Sequence, residues 1–286
     1  STALSSVTVG SSSTLNLATN NVTLRATTVS LTGTLTAGSG VVTGTIQGSS
    51  DGAGTVNFNA SQTLAGNVGT SANSLSSIVL ASSVAITANS YNLDATNITL
   101  GSSSSLTLTS GSLVGNVALA SSSTLTIGSG GLTGKVDGSA ANVGTVTFNS
   151  TGAITLASGT TIGSNSDAST TNGVSAVNIT GTSAVTANDA IKATTVTIGD
   201  GTNTASLALA ASKAITGNVV INASGTLTLN NSSSVSGTIN AASSGVGTLA
   251  IASSSSVVAA ANIGGSSSST ALSSVTVGSS STLNLA

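Results

Sequence analysis

The aliphatic residues of this chain come in short triplets, two apolar residues around one polar residue, recurring about every 6 to 8 positions. In a β-strand this alternation puts both aliphatic side chains on one face and the middle residue on the other. Gly, Ser and Asn fill the intervals and are typical of turns. The pattern predicts many short strands. Examples are Val7/Val9, Leu15/Leu17, Ile78/Leu80, Ile98/Leu100 and Leu106/Leu108.

The rapid succession of strands favours one all-β architecture over the others. Three triplets occupy about 20 to 22 residues, and the segment 102–108 (SSSSLTL) recurs at 121–127 (SSSTLTI) after 19 residues. An antiparallel sandwich or barrel would place hairpin turns about every 8 to 12 residues, without a nested long repeat. We therefore predict a right-handed parallel β-helix, or β-solenoid, in which each coil covers the edge of its neighbour.

The composition agrees with stacked coils. Charged residues make up 3% of the chain, Pro is absent, and mean hydropathy is +0.45. Disorder usually needs low hydropathy and high charge, and this chain has neither. Stacking places like residue over like, so columns of charge would repel, whereas aliphatic columns can pack inside and Ser, Thr and Asn ladders can lie outside. Proline would remove a donor from the ladder.

A long repeat frames the chain. Residues 269–286 are identical to residues 1–18, at an offset of 268 residues. We expect residues 1–268 to be one tandem-repeat unit of about 13 coils, and residues 269–286 to begin the next unit. The chain is then a window on a longer array, and this would account for the missing targeting and anchoring segments.

A weaker repeat lies inside the unit and predicts sub-repeats of about 90, 103 and 75 residues. Its markers are a first glycine (Gly44, Gly134, Gly237), a second glycine (Gly54, Gly144, Gly247) and a bulky apolar residue (Phe58, Phe148, Ile251). The residues expected inside the solenoid are Leu15, Leu17, Phe58, Leu106, Leu108, Leu125, Phe148, Leu227 and Ile251.

Several functional classes are excluded by residue type. Without Cys or His, the usual zinc, haem and iron–sulfur sites and the Ser-His-Asp or Cys-His constellations cannot form. Four basic residues cannot make a nucleic-acid footprint. No apolar run reaches the length of a transmembrane helix. We predict no enzyme, no cofactor, and no catalytic, cofactor-binding or metal-binding residues.

The chain has six aspartates, and two of the turns that contain them are candidates for calcium. Lys135 with Asp137, and Asp189 with Lys192, are expected to form ordinary surface pairs. The turns at 51–54 and 199–203 are rich in oxygen ligands, but one carboxylate per turn is few for an ion that takes about 6 to 8 oxygens. We expect the polar stretch 158–172, which contains Asp167, to be a loop projecting from the solenoid.

Two surface motifs have simple structural interpretations. Thr-x-Thr pairs, as at Thr34/Thr36 and Thr195/Thr197, could suggest an ice-binding face, but their irregular placement favours ordinary strand propensity. Asn-x-Ser/Thr triplets would accept glycans in a eukaryotic secretory context, and otherwise we expect them to form ladders. These triplets begin at Asn21, Asn59, Asn97, Asn178 and Asn222, among others.

Segments 54–69, 101–130 and 215–239 resemble the β-helical passenger repeats of giant bacterial surface proteins, namely autotransporter-type surface antigens and haemagglutinin-like adhesins. The likeness covers nearly the whole chain, although this window includes no translocator or cleavage site. The resemblance implies an extracellular or cell-surface location on a bacterium and an elongated structural or adhesive role.

Three functions follow as hypotheses. The first is a non-enzymatic extracellular fibre or stalk whose partners are further copies of the repeat, end to end. The second is an adhesin or autotransporter passenger that uses the solenoid as a spacer or as a surface for a host or neighbouring cell. The third, an ice-binding or polysaccharide-acting β-helix, is disfavoured because identical copies add length rather than chemistry.

Overall fold

The computed structural model describes residues 3–19, 22–163, 172–259, 262–265 and 270–285. Contacts divide the chain into two compact units, Ser1–Gly134 and Lys135–Ala286. The described residues contain no α-helix, and their strands pair in parallel as a right-handed β-solenoid of about 12 turns in all. The predicted fold class is therefore confirmed. Of the loop predicted at 158–172, residues 164–171 with Asp167 lie outside the described residues. The prediction is wrong at Ile162, which is buried and aligned with Val136 and Ile191.

The strands are short in both units. Those of the first unit are β1 (Leu4–Val9), β2 (Thr14–Asn16), β3 (Leu24–Leu31), β4 (Thr34–Ala37), β5 (Val42–Gly48), β6 (Thr55–Phe58), β7 (Gln62–Thr63), β8 (Leu75–Leu80), β9 (Ala85–Asn89), β10 (Leu93–Leu100), β11 (Ser105–Leu108), β12 (Leu113–Leu119), β13 (Thr124–Ile127) and β14 (Leu132–Thr133).

The strands of the second unit are β15 (Val136–Gly138), β16 (Thr145–Ser150), β17 (Ala153–Leu156), β18 (Val174–Gly181), β19 (Ala184–Ala187), β20 (Ile191–Ile198), β21 (Ala205–Leu209), β22 (Ala214–Ile221), β23 (Gly225–Leu229), β24 (Ser234–Val235), β25 (Ile239–Ala241), β26 (Val246–Ile251), β27 (Ser256–Ala259), β28 (Leu272–Val277) and β29 (Thr282–Leu285).

In each unit the parallel pairing aligns aliphatic residues of successive coils into columns. One column of the first unit is Leu15, Leu35, Val56, Ile78, Ile98 and Val117. One column of the second unit is Ile154, Val185, Leu207, Leu227, Leu249 and Val275. Such stacking buries each coil against the next, which is the nearest-neighbour term that stabilises solenoids.

The expected interior residues are buried, with one exception. Phe58, Leu106, Leu125, Phe148 and Leu227 are buried. Leu17, Leu108 and Ile251 are buried as well. Leu15, whose strand β2 pairs with β4 alone among the described strands, is only half-buried.

Corners of the coil are made by bulges that oppose two residues to one glycine. In β10 the residues Ala95 and Thr96 face Gly115 of β12, so the register with β12 shifts there. Gly115 has φ +140°, and a Cβ on it would lie 2.0 Å from the Ala95 carbonyl oxygen. A bulge of this kind bends the strand, so one continuous strand serves two faces of the coil. Gly44 and Gly217 occupy the same position opposite β3 and β20.

Other corners are turns with serine in the left-handed region. Ser83, Ser103 and Ser122 have φ of 63°, 59° and 58°. The backbone N–H of Ser83 donates to Ser102 O, and that of Ser103 donates to Ser121 O, both at 2.9 Å. The turns at Ser83 and Ser103 are thus each hydrogen-bonded to the turn of the next coil, and this bond offsets part of the cost of a positive φ.

Candidate functional site

The carboxylate of Asp51 ties two coils of the first unit together. Its Oδ1 accepts hydrogen bonds from Ser74 Oγ at 2.6 Å and from Ser74 N at 3.3 Å. These bonds stabilise the ionised form and hold the pKa of Asp51 below its usual range. The side chain of Asp51 therefore links two coils through hydrogen bonds.

Asp94 shares an open trough with Asp51. The trough has a volume of about 540 Å³, and hydroxyl and amide side chains such as Thr96 and Asn116 line it. Partial burial raises the pKa of Asp94, and the negative charge of Asp51 raises it further. None of the described residues that line the trough is basic or aromatic. The two carboxylates therefore lack the groups that usually orient a sugar or an anion.

The proximity of Asp51 and Asp94 was not predicted, although their spacing in the sequence indicates it. They are 43 residues apart, which is about two coils at the 20 to 22 residues expected for one coil. Residues separated by whole coils lie on the same side of a solenoid. The pair could have been found by applying the coil length to the acidic residues.

The second calcium candidate, the turn at 199–203, is organised around Asp200. Its Oδ1 accepts from Thr202 N and Thr202 Oγ1, both at 2.9 Å, and from Asn203 N at 2.8 Å. Its Oδ2 accepts from Asn203 Nδ2 at 3.0 Å and Gly181 N at 3.1 Å. These donors strongly lower the pKa of Asp200, with the amide of Asn203 contributing most. The carboxylate caps its own turn, and its oxygens are already occupied by donors.

In the part of the chain that the structure describes, no group of three or more acidic, His or Cys side chains lies close enough together to hold a metal ion. The carboxylates at 51 and 200 are each engaged by neighbouring donors instead. Their geometry accounts for both aspartates as parts of turns.

Asp189 forms an ion pair, but with a different partner from the one expected. Lys213 Nζ lies 2.6 Å from Asp189 Oδ1, so the predicted pairing with Lys192 is wrong. The hydrogen bond from Lys213 is the main cause of the lowered pKa of Asp189, followed by one from the Gly159 backbone. Lys213 is 24 residues further along the chain, one coil on, and stacking brings it closer than the sequence neighbour.

Asp137 is also not the fully solvated partner of Lys135 that we expected. Its Oδ1 is buried and has no hydrogen-bond partner in the described structure. Burial raises the pKa of Asp137, and the positive charge of Lys135 opposes this shift. The side chain of Asp137 is half-buried because it lies in β15, directly after the buried Val136.

The Thr-x-Thr motifs are more regular than their spacing suggested. Thr107 is aligned with Thr87 on one side and Thr126 on the other, so three threonines form a column. In the second unit, however, Thr197 is aligned with Asn178 and Val220. The columns therefore contain residues other than threonine, and the Thr side chains named here are half-buried.

The amides of the Asn-x-Ser/Thr triplets take part in ladders where the structure describes bonds for them. Asn222 Nδ2 donates to Gly199 O of the previous coil at 2.6 Å. Other asparagines also form hydrogen bonds between coils. Asn67 Oδ1 accepts from Asn92 N, and Asn92 Oδ1 accepts from Ser112 N. Asn21 lies outside the described residues.

The last coil presents the most distinctive exposed apolar surface. Val275, Val277 and Leu285 are 45%, 46% and 70% exposed. Val9 and Leu17, which occupy the places of Val277 and Leu285 in the identical segment, are each 6% exposed. Among the described strands β1 pairs with β3 alone and β28 pairs with β26 alone, so both are edge strands. This surface, the outer edges of β28 and β29, is called the terminal edge below.

Comparison of the chain with protein-family models, with curated proteins and with solved structures gave no match. In the part of the chain that the structure describes, no helix has the length and hydropathy needed to cross a membrane. What the protein does must therefore be inferred from its own residues and contacts.

Proposed function

We propose that this protein is a non-enzymatic structural protein that forms an elongated extracellular fibre or stalk by continuous stacking of tandem β-solenoid repeats. The observation that carries the proposal is the repeat, because residues 269–286 have the sequence of residues 1–18 and form the same strand and the same turn.

The two identical segments fold alike, and this supports continuation of the coil. Both form a strand over LSSVTV, β1 and β28. Both then turn through a left-handed serine, Ser12 at φ 58° and Ser280 at φ 57°. Since β1 is the edge on which β3 packs, the equivalent β28 has the shape to receive the same kind of strand.

The sparse chemistry of the surface also supports a structural role. Asp51, Asp189 and Asp200 are engaged in bonds between or within coils. Such contacts stabilise stacking and contribute no reactive group. The resemblance to bacterial surface proteins supports a location outside the cell for the proposed fibre, and the absence of Cys is compatible with secretion without disulfides.

Electron microscopy of the purified chain at increasing concentration tests the proposal. We expect unbranched filaments with an axial repeat of ~60 Å, from a strand spacing of ~4.8 Å and the about 12 turns of the structure. Discrete particles at all concentrations, or beads on flexible linkers, would contradict the proposal.

A matched pair of variants makes the test specific for the terminal edge. Val275→Lys puts a charge on the edge, whereas Val258→Lys changes a valine of similar exposure, 42%, in β27. Lysine at 275 would have to be buried unpaired at a junction, which is costly. We expect filaments from the chain with lysine at 258 and none from the chain with lysine at 275.

A further inference from the structure

We infer that Asn172 is a site of spontaneous backbone modification. The backbone nitrogen of Gly173 attacks the side-chain amide of Asn172, and the product is an aspartate or an isoaspartate at position 172. The two residues belong to the second unit and lie directly before β18. They form the only Asn-Gly dipeptide of the sequence. The inference goes beyond the proposed fibre and does not depend on it.

The reaction needs water and no other reagent. The backbone nitrogen of Gly173 loses its proton and forms a bond to Cγ of Asn172, while Nδ2 of Asn172 leaves as ammonia. Water then opens the cyclic imide. Opening at the side-chain carbonyl gives aspartate, whereas opening at the backbone carbonyl gives isoaspartate, in which the main chain runs through Cβ and Cγ. A glycine after the asparagine favours ring closure because it has no Cβ to hinder the attack.

The attacking nitrogen is not engaged by the fold. Gly173 lies outside the strands, and its backbone N–H donates to none of the described residues. In two of the Asn-Ser dipeptides the equivalent nitrogen is held by a hydrogen bond. Ser150 N donates to Ser183 Oγ at 2.7 Å, and Ser232 N donates to Ser256 O at 2.8 Å. Those bonds must break before either nitrogen can attack, so the fold protects the preceding asparagines but not Asn172.

The surroundings of Gly173 leave room for the imide ring. A Cβ on Gly173 would lie 3.2 Å from Asn142 Oδ1, and 3.4 and 3.6 Å from Cγ and Cε of Lys192. These nearest atoms all belong to side chains, which can move aside. At Gly115, by contrast, the nearest atom is a backbone carbonyl oxygen at 2.0 Å. Asn172 is only half-buried, so the water needed for hydrolysis has access to it.

The modification changes a contact between two coils of the second unit. Gly138 N donates to Asn172 O at 3.1 Å, and Asn142 N donates to Gly173 O at 2.7 Å. Isoaspartate adds one carbon to the main chain between these two carbonyls, so their spacing no longer matches the two donors. Aspartate leaves the main chain as it was. Either product changes the formal net charge of the chain from −2 to −3.

Peptide mapping of the folded chain tests the inference. The chain is kept in mildly alkaline buffer, with a parallel sample in urea, and digests taken over several weeks are analysed by mass spectrometry. Isoaspartate is identified with isoaspartyl methyltransferase. Folding should slow conversion at Asn149 and Asn231 by about tenfold or more, because their next nitrogen is released only by local opening, and should leave the rate at Asn172 within about threefold of its unfolded value. Equal protection of all three asparagines overturns the inference.

Two variants identify the reacting groups. Asn172→Gln moves the amide one carbon further from the attacking nitrogen and should abolish conversion at position 172. Gly173→Ala puts a methyl group beside that nitrogen and should slow the conversion several-fold. Gly152→Ala is the matched control in the same unit, because Gly152 has open space around it and no positive φ. Far-UV circular dichroism checks that each variant is folded. Conversion of Gly173→Ala at the rate of the unmodified chain overturns the inference.

The modified chain itself provides a structural readout. Ion exchange separates the acidic products, and the isoaspartate fraction should unfold at a lower temperature than the fresh chain. The variant Asn172→Asp carries the same charge on an unaltered main chain and should unfold close to the fresh chain. An isoaspartate fraction with an unchanged midpoint overturns the inferred loss of the two hydrogen bonds. None of these readouts uses filaments, so failure of the proposed fibre is distinguishable from failure of this inference.

Discussion

Ser12 and Ser280 adopt the same left-handed backbone conformation, with φ of 58° and 57°, at positions 268 residues apart. The two turns have different surroundings, since one lies in the first coil and the other in the last. Their agreement means that the turn is determined by its own sequence and the adjoining strands. The same turn recurs in other coils, as at Ser103 and Ser122.

A serine in the left-handed region gives a prediction about turn chemistry. Glycine adopts a positive φ without steric cost, whereas a β-branched residue does so only with strain. We expect Ser122→Gly to be neutral or stabilising by up to about 1 kcal/mol, and Ser122→Val to destabilise by at least about 1 kcal/mol. Ser121, exposed in the same turn with an ordinary φ, provides the control. Ser121→Val should change the free energy of unfolding by less than about 0.5 kcal/mol in urea denaturation.

The bulged corners give a second prediction. Gly115→Ala should lower the free energy of unfolding by about 3 kcal/mol or more, because the new Cβ would meet the Ala95 carbonyl at a strained φ. Gly10→Ala is the control, since Gly10 has open space around it and no positive φ. Thermal unfolding followed by far-UV circular dichroism compares the two variants. Equal midpoints would show that the corner tolerates a side chain.

Buried serines should differ according to what their hydroxyls do. Ser123 Oγ only donates, to Ala120 O at 2.7 Å, and Ser123→Ala should cost about 1 kcal/mol. Ser183 Oγ also accepts, from Ser150 N at 2.7 Å, so Ser183→Ala removes an acceptor from a buried N–H and should cost about 2 kcal/mol. Chemical denaturation of the two variants measures the difference. A smaller effect at 183 than at 123 would contradict this ranking.

Removing the charge of Asp94 and removing that of Asp189 should change the free energy of unfolding at pH 7 in opposite directions. The pKa of Asp94 is raised by burial, so its ionised form destabilises the fold above that pKa, and the penalty vanishes below the unfolded value of about 3.8. Asp94→Asn should therefore stabilise the chain at pH 7 and have little effect at pH 3.

Asp189 has a lowered pKa, so its contribution is present above the unfolded value and is lost as the pH falls through the folded pKa. Asp189→Asn should destabilise the chain at pH 7 and have a smaller effect in acid. Denaturation midpoints of both variants between pH 3 and pH 7 provide the measurement. Effects of the same sign at pH 7 would show that the two environments do not differ as described.

The triplet pattern was sufficient to predict the parallel coils and most of the core, because alternation fixes which side chains point inward. Positions such as Phe58 and Leu106 follow from alternation alone. The partner of Asp189 could not be derived in this way. Coil length varies, with Ile98 and Val117 aligned after 19 residues and Val196 and Val219 after 23, so the charge that stacks on a given corner depends on the local count.

The serine turns and the half-burial of Leu15 were missed for other reasons. A positive φ is usually inferred from Gly or Asn, and here stacked turns support serine through hydrogen bonds to the next coil. Leu15 has the same pattern as other interior residues, yet it is half-exposed in the first coil, whereas Leu17 of that coil is buried. Both effects depend on neighbouring coils, and single-strand periodicity contains no information about them.

The parallel pairing of all the strands also decides the symmetry of any assembly. The edge that β28 leaves open and the edge that β1 leaves open are different surfaces, so a pair of copies joined through them is heterologous and has no two-fold axis. Each added copy consumes one edge and supplies another of the same kind. Such an association does not close on itself unless its rotation forms a ring. The resulting polymer has a direction, with chemically distinct ends.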